Sequence, residues 1–154
     1  MRVTLHGVAN RPPEWLRTAT DNYLKRLPRA WQCQLDLIPP SRRRATAAER
    51  MADEWQQLAK RWRDDDVIVL LDERGAAHSS RQLAGFVGEW QREGRHVRVV
   101  IGGPDGIAEA GYARAHARWS VSPMTLPHEL ARLILVEQLY RAHTLIEGHP
   151  YHRD

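Results

Sequence analysis

Two short apolar runs limit the folds open to this chain more than any other feature. VIVLL at 67–71 is apolar throughout, and VRVVI at 97–101 is broken by a single arginine. In a parallel sheet that helices cover on both faces, each strand is buried on both sides, and its sequence is therefore a nearly continuous apolar run. We therefore predict that these runs are buried strands of a parallel sheet.

Helical patterns alternate with strand patterns along the rest of the chain. Period-two alternation predicts further strands at 2–9, 32–38 and 118–122. Helices are expected at about 12–27, 46–62, 81–94, 107–117 and 127–145. Thr46 followed by Glu49 is a capping-box pattern, and Ser79 or Ser80 is the expected cap of the third helix. This alternation predicts an α/β domain, and no repeat or linker divides residues 1–154, which we expect to form a single domain.

Composition and charge exclude some classes of protein and favour others. No apolar run approaches the ~20 residues of a membrane helix, and Cys33 is the single cysteine, so a cytoplasmic location is expected. Residues 1–63 hold 13 Lys and Arg against 6 Asp and Glu, whereas residues 64–154 hold 10 against 13. A basic first third suggests a polyanionic partner. The RRR run at 42–44 is a candidate phosphate-binding segment, with a solvated loop as the comparable alternative.

Three consecutive strands are followed by unusual connections. The first is LLDERG, in which Leu71 and Asp72 are expected to close the buried strand and Gly75 to break the chain. The second is IGGPDG, whose glycines let backbone approach a ligand or form a plain tight turn. The third is SPMTLPH, where Thr125 can cap the last helix and Pro127 fits its first turn. Backbone groups and apolar side chains together would suit an adenine base. Because ligands bind outside the carboxyl ends of parallel strands, we expect a site here.

The last helix and the tail carry further signals. Apolar residues cover most of the helix circumference, so we expect it to be buried on more than one side, with a dimer interface as the preferred explanation. Glu137 and Arg141 are placed to pair. The final residues HPYHRD contain two histidines, but no zinc ligand set is apparent, and no metal is predicted. The acidic run at 64–66 is expected to be a solvated turn.

Taken together, LLDERG, IGGPDG, LPHELARLILVEQLYRA and HPYHRD resemble the bacterial large-subunit ribosomal RNA pseudouridine N3-methyltransferases of the SPOUT superfamily. The similarity covers nearly the whole chain, including PPEWL near its start. It implies a SPOUT-type parallel sheet flanked by helices with a C-terminal trefoil knot, and a cofactor pocket within roughly residues 67–154. It also implies S-adenosylmethionine as methyl donor, a homodimer, and a pseudouridine of 23S rRNA in the assembled ribosome as substrate.

The resemblance assigns roles to individual residues. Cofactor contacts are implied for Leu71, Gly103, Val121, Ser122, Pro123, Met124, Thr125 and Leu126. The tail residues Tyr151, His152 and Arg153 are implied to line the active site. Two residues depart from the usual pattern: Pro123, which removes one backbone donor, and Asp154, which leaves the role of the terminal side chain open.

Methylation at N3 requires removal of the proton that this nitrogen carries. Imidazole changes charge near neutral pH, so His152 is the predicted general base. His128 is a second candidate, although its place at a helix start is equally compatible with capping. Arg153 is expected to stabilise negative charge on the carbonyl oxygens of the base, and Tyr151 to stack on it or hydrogen-bond to it. The alternatives are a non-catalytic RNA-binding ribosome-assembly factor and a SPOUT methyltransferase acting on tRNA.

Overall fold

A computed structural model describes residues 1–44, 46–60 and 62–152. The strands are β1 (Arg2–Val8), β2 (Gln34–Ile38), β3 (Val67–Ala77), β4 (His96–Ile101) and β5 (Ala117–Ser120). The helices are α1 (Glu14–Leu24), α2 (Ala47–Ala59), α3 (Ser80–Arg92), α4 (Glu109–Arg114) and α5 (His128–Ile146), with a 3-10 turn at Arg29–Trp31. Each predicted strand and helix is present, which confirms the α/β class.

The five strands form one parallel sheet in the order β2-β1-β4-β3-β5. β3 and β4, the two apolar runs, are paired next to each other near the middle, with Leu71 opposite Ile101. All strands point the same way, so their carboxyl ends meet at one edge. This edge gathers the three unusual connections, as expected.

Helices cover both faces of the sheet. On one face α5 packs against α1 and α3, over a core that includes Leu135, Val136 and Leu139. On the other face Trp55, Leu58 and Trp62 cover Ile68, Leu70 and Val100, and α2 contacts α4. The two faces thereby bury both sides of β3 and β4, which explains their apolar runs.

The caps of the helices agree with the sequence in part. Thr46 and Ser79 each form a complete capping box, with Glu49 and Gln82 respectively. The expected cap of the last helix is wrong: Pro127 occupies the cap position without a side-chain bond. Thr125 instead donates its hydroxyl hydrogen to Glu73 Oε2 at 2.9 Å.

Two further expectations are corrected by the structure. The third strand does not close at Leu71 and Asp72, and Gly75 does not break it, because β3 continues to Ala77 and its pairing with β5 shifts register between Leu71 and Ala76. A Cβ atom at Gly75 would lie 2.5 Å from the backbone carbonyl carbon of Trp119, so only glycine fits there. Asp66 is not solvated: it is 2% exposed and pairs with the guanidinium of Arg98.

α5 combines burial with an ion pair. Arg141 Nη2 donates to Glu137 Oε1 at 2.7 Å, as the spacing predicts.

Among the described residues, no helix is long and apolar enough to cross a membrane. The trefoil knot, the homodimer and the single-domain boundaries stay predictions.

Candidate active site

A cavity of about 520 Å³ opens at the carboxyl edge of the sheet. Its floor is formed by Leu71 and Ile101, where the two central strands leave the core. Its walls come from the extension of β3, the turn after β4, the segment after β5 and the start of α5. The other lining residues are Met51, Asp72, Glu73, Arg74, Gly102, Gly103, Pro104, Asp105, Gly106, Ile107, Tyr112, Ser120, Val121, Ser122, Met124, Thr125, Leu126, His128 and Ala131.

The glycine turn after β4 is held in a shape that requires glycine. Gly106 N donates to Gly103 O at 2.9 Å, and Gly106 has a φ of 105°, which side chains rarely tolerate. A Cβ atom at Gly102 would lie 2.5 Å from the carbonyl oxygen of Gly106. Arg50 of α2 donates through Nε to Asp105 Oδ2 at 2.7 Å and fastens the turn. This pairing holds the pKa of Asp105 below its usual range, because Arg50 hydrogen-bonds its carboxylate.

The segment after β5 is ordered by its own hydroxyl groups. Ser120 Oγ donates to Ser122 O at 2.7 Å, and Met124 N donates to Ser122 Oγ at 2.9 Å. The Thr125 bond to Glu73 ties the segment to the extended end of β3. Met124 remains 73% exposed at the rim of the cavity. The segment is thus an organised wall.

Most of the predicted cofactor residues line this one cavity. Leu71, Gly103 and the stretch 121–126 converge there, apart from Pro123, which is exposed and outside the lining. His128 also lines it, at the first position of α5. The assignment of cofactor contacts to these residues stays a prediction, and the geometry places nearly all of them together.

Several polar residues of the cavity were not singled out from the sequence. Tyr112 donates its hydroxyl hydrogen to Asp72 Oδ2 at 2.9 Å. Burial raises the pKa of Tyr112, and the hydrogen bond to Asp72 adds to the rise, so the phenol stays protonated. Asp72 and Glu73 bring two carboxylates to the cavity wall. The sequence predicts the last residues of β3 as a connection after the strand, so it does not indicate that Asp72 and Glu73 belong to an ordered wall of the cavity.

The tail lies elsewhere in the same chain. Tyr151 donates its hydroxyl hydrogen to Glu137 Oε1 at 3.1 Å, and the Arg141 guanidinium lies 4.9 Å from its ring centre. Its ring also meets that of Tyr140 edge-on at 4.8 Å. Burial raises the pKa of Tyr151, as do its hydrogen bonds to Tyr23 and Glu137. The tail therefore packs on α5 and α1.

This placement separates the predicted catalytic residues. Arg141 Nη1 lies 3.3 Å from His152 Nδ1. Glu137 and Arg141 follow His128 by 9 and 13 residues, or about 14 and 20 Å along the helix axis. Tyr151 and His152 are absent from the lining of the cavity that contains His128. Arg153 lies outside the described residues.

Metal ligands do not gather in the described part of the chain. No group of three or more His, Cys, Asp or Glu side chains within residues 1–44, 46–60 and 62–152 could hold a metal ion.

Comparison with known proteins decides the family. The sequence model of a family described as "Predicted SPOUT methyltransferase" matches residues 1–152. The chain belongs to the SPOUT methyltransferase family. The resemblance and the methyltransferase class that it implied are confirmed.

Relatives of this SPOUT protein match it over their full lengths. A protein of Hahella chejuensis named ribosomal RNA large subunit methyltransferase H is 40% identical, with all of both chains covered. A protein of the same name from Methylococcus capsulatus is 43% identical over 99% of this chain and all of its own. The structure of a probable methylase family protein from Haemophilus influenzae matches with a TM-score of 0.57 and 12% identity, over 99% of this chain and 70% of that one. That likeness supports the fold alone.

Proposed function

We propose that this SPOUT protein transfers a methyl group from S-adenosylmethionine to N3 of a pseudouridine in 23S rRNA of the assembled ribosome. The observation that carries the proposal is the cavity, in which the glycine turn, the 121–126 segment and His128 meet. The names of the full-length relatives support a large-subunit rRNA substrate. The basic first third of the chain suits a polyanion.

The residues of the cavity fit the methyl donor. A volume of about 520 Å³ lies within the usual range for a small-molecule site. Leu71, Ile101 and Leu126 offer apolar surface to an adenine ring, and the glycine turn lets backbone approach it. Asp72 and Glu73 provide negative charge near a sulfonium. When bound, S-adenosylmethionine supplies an electrophilic methyl group.

The protein's own residues must prepare the nucleophile. An imidazole would take the proton of N3, and the electron pair freed there would form the bond to the methyl carbon of the bound donor, whose leaving group would be a neutral thioether. His128 stands in the cavity, and His152 would arrive with the tail. Arg153 stabilises the negative charge that develops on the carbonyl oxygens, and Tyr151 stacks on the base or hydrogen-bonds to it. The remaining rate enhancement comes from the alignment of N3 with the methyl carbon.

The position of the tail supports a homodimer in which each tail serves the partner's cavity. Within one chain, the contacts of Tyr151 and His152 lie about 14–20 Å along α5 from His128. A two-fold dimer places equivalent surfaces against each other, so one tail can reach the other protomer's cavity. α5 also leaves Leu133, Ile134 and Leu145 only half-buried, which offers apolar surface for such contact.

Methyl transfer to defined ribosomes tests the activity. Ribosomes that lack the modification are incubated with labelled S-adenosylmethionine and the protein, and the product is mapped by mass spectrometry. A matched sample carries uridine at the target in place of pseudouridine. We expect methylation of pseudouridine alone. Salt-sensitive ribosome binding without transfer would instead support a non-catalytic assembly factor, and transfer to tRNA alone would support the other SPOUT class.

Mixing two inactive variants tests the shared site. One variant lacks residues 151–154 but keeps the hydrogen bond from His149 N to Thr144 O that ends α5. The other is Gly103→Val, whose added atoms collide with Val8 and Glu54. Each alone should be inactive. After subunit exchange, mixed dimers with one intact composite site should restore about a quarter of wild-type activity; no recovery despite exchange would show that each tail serves its own chain.

A further inference from the structure

Arg132 of α5 is buried without a hydrogen-bond or ion-pair partner among the described residues. Its relative exposure is 3%. Within residues 1–44, 46–60 and 62–152, no hydrogen bond or ion pair joins its guanidinium to another group. Burial lowers its pKa, and the carboxylate of Glu129, one turn earlier, only partly opposes this from a distance. A buried charge without a counter-charge is expensive for a folded protein.

The other buried arginine of the described chain is treated differently. Arg98, 8% exposed, donates to the carboxylate of Asp66 and lies 3.2 Å from His6 Nε2. The half-buried Arg141 is paired with Glu137. The fold therefore supplies a paired carboxylate where a guanidinium is purely internal, whereas no carboxylate of the described residues is in ion-pair or hydrogen-bond contact with Arg132.

Arg132 borders the candidate active site on the β1 side. The preceding residue Ala131 and His128, one turn earlier, both line the cavity. A Cβ atom at Gly7 of β1 would lie 3.4 Å from Arg132 Nη1, so glycine leaves the guanidinium room against the strand. Gly7 pairs in register with Ile101, which forms the floor of the cavity. The unpaired charge thus lies beside the place where the ligands would meet.

We propose that Arg132 anchors an oxyanion subsite between β1 and the cavity. The subsite binds an oxyanion of the reacting complex, which is either a phosphodiester of the RNA substrate or the carboxylate of the methyl donor. A guanidinium presents parallel N–H donors that match both groups. The inference rests on the proposed function and adds a binding residue to that same site. Arg132 is a binding residue here and is given no part in proton transfer.

Stability separates a ligand-binding role from a structural one. Arg132→Met keeps an unbranched apolar side chain and removes the guanidinium with its charge, and we expect its thermal midpoint in ligand-free buffer to equal or exceed that of the wild type. The matched variant Arg98→Met leaves the buried carboxylate of Asp66 without its ion-pair partner, and the thermal midpoint of this variant should fall by roughly 10 °C. A comparable fall for Arg132→Met would overturn the proposal, because the arginine would then be holding the fold together.

Ligand binding identifies which oxyanion is bound. Calorimetry with S-adenosylmethionine and with its decarboxylated analogue tests the carboxylate, and KM for ribosomes at saturating donor tests the phosphodiester. We expect Arg132→Met either to weaken donor binding or to raise the KM for ribosomes, in each case by at least about 10-fold. Arg132→Lys should give a value between those of the wild type and Arg132→Met. If the carboxylate is bound, the variant also loses the wild type's preference for the intact donor. Unchanged donor affinity together with unchanged ribosome KM would refute the subsite.

A third measurement does not depend on methyl transfer. Inorganic phosphate should raise the thermal midpoint of the wild type and leave that of Arg132→Met unmoved. This result would support the subsite even if no transfer to ribosomes were found, so the subsite and the proposed reaction can fail separately. Equal phosphate responses of the two proteins would count against Arg132 as the anchor.

Discussion

Acidification should destabilise this protein through one buried histidine that is not part of the cavity lining. His6 of β1 is 2% exposed, and its ring centre lies 5.0 Å from that of Trp62. Its Nε2 faces the guanidinium of Arg98 at 3.2 Å, and its Nδ1 lies 3.1 Å from Asp36 Oδ2. Burial lowers the pKa of His6 from 6.5 to about 4; Asp36 opposes the shift, and Arg98 and His96 reinforce it. The ring is therefore neutral in the folded protein at neutral pH.

The size of the effect follows from linkage. Above pH 6.5 His6 is neutral in both states and contributes no pH dependence. As the pH falls from 6.5 to about 4, the unfolded chain takes up the proton first, so the folded state loses stability across this window. A shift of this size corresponds to roughly 3 kcal/mol once the pH reaches the folded pKa. Such a loss is a large part of the ~5–15 kcal/mol that holds a typical domain together.

Urea unfolding at pH 7, 5.5 and 4 measures this loss directly. We compare the wild type with His6→Gln, whose amide oxygen can still accept from Arg98, and with His96→Gln as the matched control. The pKa of His96 is also lowered, mainly by burial, so His96 too contributes a loss of folding stability as the pH falls. Burial alone would raise the pKa of Asp66, but hydrogen bonds from Arg63 N and Arg98 lower it, so Asp66 stays ionised here. If His6→Gln lost as much stability between pH 7 and 4 as the wild type, the assignment to His6 would be wrong.

Two further predictions concern the cavity and a helix start. Gly102→Ala places a Cβ 2.5 Å from the carbonyl oxygen of Gly106, so it should cost about 1–3 kcal/mol in urea unfolding and weaken donor binding in calorimetry. Gly85→Ala, in α3 with no atom within 4 Å, is its control and should stabilise by about 0.5–1 kcal/mol; equal effects would contradict the crowding argument. Thr46→Ala removes the capping box with Glu49 and should cost about 1 kcal/mol, again in urea unfolding, whereas an unchanged midpoint would show that the box contributes nothing.

Local patterns were sufficient for most of the secondary structure. The strands and helices were predicted because burial on one or both faces leaves a period in the sequence. The box at Thr46 and the pair of Glu137 with Arg141 were predicted because their partners lie three or four residues apart. These features depend on neighbours in the chain, and neighbours are visible in a sequence.

The errors arose where distant segments meet. β3 runs past Gly75 because β5 offers it a second stretch of pairing, at Ala76 and Ala77, more than 40 residues away in the chain. Asp66 is buried because Arg98, on the adjacent strand, supplies its counter-charge. Thr125 caps no helix because α5 begins at His128, with Pro127 at the cap position, and the Thr125 hydroxyl instead donates to Glu73. None of these partners could be identified from spacing.

The sequence by itself determined the parallel α/β sheet, the edge at which its unusual connections gather, and, through its motifs, the SPOUT family. Only the tertiary structure decided which side chains share the cavity, that the tail packs on α5 and not beside His128, and that Arg132 is buried with no counter-charge among the described residues. The physical reason is that periodicity records how much of each residue is buried. The identity of a partner depends on chain segments brought together by folding.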